Sequence, residues 1–341
     1  VAYLLGNSPV RIAAIGWENT PATQSDISNM KAVIREAMEE GAFGMSTGLD
    51  YPPGNFADTD ELVELSEQVV ELGGIYHTHV RYRLGDQFLD PFREAIEIGQ
   101  RSGVPTHITH FYQRAPSAGG GHRLLRFVED AVEGGQDVTF DSYPYAYGST
   151  RILIVFPDWA HEGGPDRLVE VLRSSEGRER LREEVVPRGR SWDEMWVTYF
   201  QDPHNLRYDG KSIAEVAEMM GKQPVDAICD LLIEEDLEVA FVARTGNPDN
   251  IRTILKHPAQ MVGSDGLLTG GHPNPRSYGT FPHVLGQLVR EEGLLLLEEA
   301  VRKMTAIPAQ RLGLKDRGIL RDGMKADLVL FDPQRVVSNA T

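Results

Sequence analysis

The sequence predicts an α/β fold built on a parallel sheet, in the form of a (β/α) barrel, and three observations lead to it. Short apolar runs bounded by turn residues recur at 1–5, 42–46, 74–79, 106–110, 138–141, 238–242 and 260–263. Helical patterns separate most of them, and strands that alternate with helices pair in parallel. Three runs, GGIYHTHV, VPTHITH and AQMVGSD, lead into His79, His110 and Asp265. Placing metal-ligating or proton-carrying side chains at the ends of separate strands is how a barrel builds a site at one face.

In chain order, VAYLL opens as a strand, on Val1 rather than methionine, so the natural start is expected upstream. Residues 26–40 put Met30, Val33, Ile34 and Ala37 on one stripe with charges opposite, which predicts an amphipathic helix. A second helix is expected over 60–72 with Thr59 as its N-cap. In the strand that follows, His77 and His79 are two apart and point to the same side, His77 one layer lower. His107 and His110 are three apart, so strand geometry puts them on opposite faces and selects His110 as the inward one. The alternation fails over 151–220, where Trp159, Trp192 and Trp196 lie among charged helices; an insertion over the active-site end is expected. PVDAICDLLI reads as a helix whose one thiol, Cys229, is buried and inert. At the end, GILRDGMKADLVLFD gives a turn and a strand over 326–332 with no partner after it, so both termini look cut from something larger.

Composition removes several function classes. The 341 residues suffice for one large domain with a small appendage. A formal charge of -17, with arginines scattered among acids, disfavours nucleic acid as a partner. A single cysteine excludes an internal disulfide and a cysteine zinc cluster. No apolar stretch is long enough to span a bilayer and no export signal is seen, so a cytoplasmic setting is expected.

The chemistry suits the residue types. Neutral imidazoles ligate Zn²⁺, which polarises a carbonyl and lowers the pKa of bound water to about 7. A carboxylate beside that water takes its proton and passes it to a leaving amine, and Asp265 stands where such a base belongs. The plain alternative for GSDG is an Asx-turn. DSYPYAYGST offers Tyr143, Tyr145, Tyr147, Ser149 and Thr150 as donors, Arg276 suits a carboxylate, and Tyr51 is available as a pocket wall.

GAFGMSTGLDYPPG, GGIYHTHVR, VTFDSYPYAYGST, MVGSDG, HPNPRSYGTFPHVLG and EEAVRKMTAIPAQRLGLKDRGILRDGMKADLVLFDP, in this order, resemble the D-aminoacylase (N-acyl-D-amino-acid deacylase) branch of the amidohydrolase superfamily. The likeness covers nearly the whole chain; STGLDYPPG and SYGTFPHVLG are its most specific parts. It implies a (β/α)8 TIM-like metal-dependent hydrolase barrel, here incomplete at its N-terminus, over 1–318, with 319–341 as a remnant of a small β-sandwich. It further implies that His79, His110 and Asp265 hold one or two Zn²⁺ ions, with Asp265 as general base. Tyr143, Ser149 and Arg276, with Tyr112 and Tyr51, then contact an N-acyl-D-amino acid that is hydrolysed to a carboxylate and a D-amino acid.

The chain departs from that pattern in places. No H-x-H strand and no ligand cysteine precede the matched region; Tyr112 stands where a lysine is frequent, and Asn7 where a histidine is common. Val155 falls where acidic-substrate relatives are expected to carry arginine, which favours a neutral D-side chain. Two other readings stay open: a cyclic-amide hydrolase of the dihydroorotase or hydantoinase kind, and a catalytically inactive fragment, expected to be poorly stable alone.

Overall fold

The computed structural model describes residues 1–112, 120–185, 187, 191–268 and 273–340. Its strands are β1 (Leu5–Gly6), β2 (Gly44–Gly48), β3 (Ile75–His79), β4 (Thr106–Ile108), β5 (Val138–Ser142), β6 (Tyr147–Arg151), β7 (Met195–Tyr199), β8 (Ala240–Arg244) and β9 (Gln260–Val262). Six form a parallel sheet in the order β1-β2-β3-β4-β5-β9. The core is TIM-barrel-like but not closed: among the described residues β1 and β9 are its two edges.

Local chemistry sets the elements that carry this sheet. The helix Gln24–Glu39 starts at a capping box, with Thr23 and Asp26 each satisfying the other's backbone N–H, and buries Ile27, Met30 and Ile34. The next helix is Thr59–Glu71, and its N-cap is Asp58 rather than Thr59: the Asp58 carboxylate accepts from Glu61 N–H at 2.8 Å. A carboxylate at that position also answers the positive helix end, which a threonine hydroxyl does less well. Buried Glu61 pairs with buried Arg11, tying this helix to Asn7–Ala14. Where β2 meets β3, Gly44 has φ 153° and a Cβ there would sit 2.0 Å from the Ile75 carbonyl, so only glycine fits. The resulting register sets Gly48 beside His79, His77 beside His107, and His107 beside Thr139.

The other three strands form an antiparallel sheet, β6-β8-β7, covered by helices Gly164–Arg173, Ser175–Glu184, Ile213–Met220 and Pro224–Glu234. This unit has its own apolar core, including Phe156, Leu172, Val197, Leu232 and Cys229, each 1% exposed or less.

Three expectations change. The run at 238–242 is not a barrel strand: it lies in β8, the centre of the antiparallel sheet, and an apolar run alone does not report its pairing. The irregular segment therefore extends from Tyr147 to Arg244 rather than over 151–220. Residues 326–332 form no strand, and Leu330 is fully exposed, because a strand without a neighbouring ladder has no hydrogen bonds to hold it. No helix among the described residues is long and apolar enough to cross a membrane.

Candidate functional site

The C-terminal ends of the parallel strands open into a cavity of about 1140 Å³, whose lining includes Tyr51, His79, His110, Ser149, Asp265 and Arg276. Its far wall comes from the antiparallel unit, with Val155, Met195 and Phe241. Tyr51, just past β2, bonds through its hydroxyl to Thr150 Oγ1 at 2.8 Å and so links the two sheets.

His79 ends β3, and its Nδ1 is 2.8 Å from His110 Nε2. His107 also turns inward, against His77 and Asp141, which corrects the rule that only one of His107 and His110 does so. β4 stops at Ile108, and His110 has φ 35°; this left-handed residue resets the alternation, so both side chains reach the same side. The Asp141 carboxylate holds the bend, Oδ1 accepting His110 N–H at 2.8 Å. Tyr82 Oη lies 3.2 Å from His110 Nδ1 and Asp50 Oδ2 lies 3.4 Å from His79 Nε2. Sequence reasoning named neither, although Asp50 and Tyr82 each follow a strand by a few residues.

Burial, reinforced by the neighbouring His79, holds His110 well below the ordinary histidine range, so its imidazole is neutral and able to donate a lone pair. His79 Nε2 is buried and makes no hydrogen bond among the described residues. Two nitrogens sharing one tetrahedral zinc stand roughly 3.3 Å apart, given Zn–N lengths of about 2.0–2.1 Å. The pair therefore fits an ion after a small opening, with Asp265 as a carboxylate on the same cavity.

Asp265 follows β9, with φ 46°, and pairs through Oδ2 with Arg276 Nη1 at 2.8 Å. Burial pushes its carboxyl above the usual range, while Arg276 and His79 oppose the rise. Arg276 also donates to the Ser149 carbonyl at 2.9 Å and lies over the Tyr143 ring at 4.7 Å. Ser149 thus meets Arg276 through its backbone rather than its hydroxyl. Arg276 Nε and Tyr143 Oη are buried without a close hydrogen bond among the described residues, and Tyr112 is the phenol that neighbours Tyr143. Tyr112 packs against Tyr82, His110 and Tyr143.

One layer lower, His77 and His107 stack at 4.8 Å, and His107 Nε2 is 2.9 Å from Asp141 Oδ2. These three residues place one ligand atom each within 4.8 Å of one another.

The model of the Amidohydrolase family matches residues 8–341. The chain is 34% identical over 341 residues to a D-aminoacylase of Alcaligenes xylosoxydans xylosoxydans and 35% identical over 345 residues to an N-acyl-D-glutamate deacylase of the same organism. Both alignments cover 100% of this chain and 62% of the relative, so the chain spans about three fifths of their length. Among solved structures, the N-acyl-D-glutamate deacylase of Bordetella bronchiseptica, complexed with zinc and a phosphonate mimic of the tetrahedral intermediate, superposes with a TM-score of 0.83 at 31% identity, covering 100% of this chain and 64% of that one. A D-aminoacylase structure superposes at 0.80 with 32% identity, covering 99% of this chain and 63% of that one.

Proposed function

Because this chain belongs to the amidohydrolase family, we propose that the protein of which it is part hydrolyses N-acyl-D-amino acids to a carboxylate and a free D-amino acid. One observation carries the reading. Two imidazoles whose nitrogens are 2.8 Å apart share a cavity with a carboxylate beside a buried arginine, on chain segments distant in sequence.

In this reading His79, His110 and Asp265 hold zinc, which supplies Lewis acidity toward the scissile carbonyl and toward water. Asp265, in its ionised form, takes the proton of the attacking water and returns it to the amide nitrogen as the C–N bond breaks. Arg276, through its buried Nε, and Tyr143, through its buried hydroxyl, bind the α-carboxylate of the D-amino acid. Tyr112, Tyr51 and Ser149 complete the walls, and Val155 with Phe241 favours a neutral side chain. The same reading divides the chain into a barrel unit over 1–318, carrying the insertion, and a β-sandwich segment over 319–341.

The test is release of free amine from N-acetyl-D-leucine, N-acetyl-D-glutamate and their L-enantiomers, with zinc present. Turnover of the D-leucine derivative above the others is expected. Equal D and L rates, or hydrolysis of hydantoin instead, overturn the proposal.

A further inference from the structure

We propose a second transition-metal site, formed by His77, His107 and Asp141 and stacked beneath the His79–His110 pair, that takes a divalent ion of the zinc type. It shares no ligand with the His79, His110 and Asp265 set, so it stands even if the hydrolysis proposal fails.

The donors come from three adjacent strands of the sheet. His77 and His107 are register partners across β3 and β4, and His107 pairs in turn with Thr139, two residues before Asp141 on β5. Strand parity therefore turns all three side chains to one side, and the ligand atoms lie within 4.8 Å of one another. Two imidazole nitrogens and one carboxylate oxygen form a donor set for zinc, cobalt or nickel rather than magnesium or calcium.

Two further features suit a metal. His107 Nδ1 is 2.8 Å from Thr139 Oγ1, which can accept the Nδ1 proton in the tautomer that leaves the Nε2 lone pair for an ion. His77 lines the large cavity, which gives the ion a way in, and its Nε2, 4.0 Å from Asp141 Oδ2, has room to close by ring rotation. Donors on one tetrahedral ion stand roughly 3.3 Å apart, so His77 is the ligand that moves. Asp141 couples the levels: Oδ2 faces the lower site, while Oδ1 holds the His110 backbone in its left-handed bend. Occupancy below thus stiffens the support of the ring above.

Cobalt(II) titration of the metal-stripped chain tests this, read by visible absorption and by elemental metal content. A His79→Ala/His110→Ala double variant removes the upper pair. It is expected to retain one cobalt per chain, with an absorption band of nitrogen and oxygen ligation. Adding His77→Gln, or separately Asp141→Asn, is expected to weaken that binding by at least tenfold, with far-UV circular dichroism unchanged. A double variant that binds no cobalt overturns the proposal, as does retention that His77→Gln and Asp141→Asn leave untouched.

Discussion

The antiparallel unit and the mouth of the parallel sheet treat buried polar groups in opposite ways. In the antiparallel unit, buried Glu235 accepts hydrogen bonds from the Gln201 and Asp202 N–H groups at 2.5 and 3.1 Å and from Asn205 Nδ2 at 2.7 Å. At the mouth, Tyr143 Oη and Arg276 Nε are buried without a close hydrogen bond among the described residues, and His79 Nε2 has the Asp50 carboxylate only at 3.4 Å. An unmet buried donor or acceptor costs about 1–3 kcal/mol. The first region uses polarity to stabilise its own loops; the second leaves polarity open for something that binds. The antiparallel unit has exceptions, Asn205 Oδ1 and His161 Nε2 being buried without hydrogen bonds among the described residues.

The largest effect expected from this contrast is on turnover. Asp265→Asn removes a base and keeps the shape, so kcat should fall by about 10²–10⁴ with the circular dichroism spectrum unchanged. A drop in stability without loss of turnover would place Asp265 with the structural polar groups. Next, Leu232→Ala empties a fully buried position in the antiparallel core and is expected to cost about 2–5 kcal/mol. Urea unfolding followed by tryptophan fluorescence reports it directly, because Trp159, Trp192 and Trp196 lie in that unit. An unchanged midpoint would show that this core is not a cooperative part of the fold.

The His161 exception gives a pH dependence. Burial lowers His161 from 6.5 to about 4, with Asp158 opposing. Below pH 6.5 the unfolded chain takes up the proton first, so stability is complete above that value and is lost as pH falls toward about 4. At about 1.4 kcal/mol per unit, the loss reaches about 3 kcal/mol. His161→Gln should flatten this window when urea midpoints at pH 7 and 4.5 are compared; an unaltered slope would refute the assignment. The smallest effect is at a helix start: Asp58→Ala should lower stability by ~1 kcal/mol in the same assay, whereas Thr59→Ala should do less.

The strand ends were legible because turn residues and imidazoles interrupt apolar runs at the same places, as in IYHTH. β6, YGSTR, was not, since its polar residues lack an alternating apolar face. β8 was seen as a strand but placed in the wrong sheet, because its pairing depends on the distant β6 and β7. The structure puts His79, His110, Asp265 and Arg276, each named from the sequence, on the lining of one cavity. The inward turn of His107 was missed, because parity counting assumes a continuous strand and the left-handed φ of His110 breaks that assumption. The lower trio was missed for the same reason: without His107 facing inward, Asp141 had no visible partner.

Cys229 has a practical consequence. It is the chain's only cysteine, fully buried, and burial pushes its thiol up to about 12. Maleimides and other thiol-directed dyes need an accessible thiolate, so the folded chain is silent toward them near neutral pH. A cysteine introduced on the surface can therefore be labelled singly without first replacing the native one. Distance probes set on opposite rims of the cavity become available for watching the two sheets move against each other.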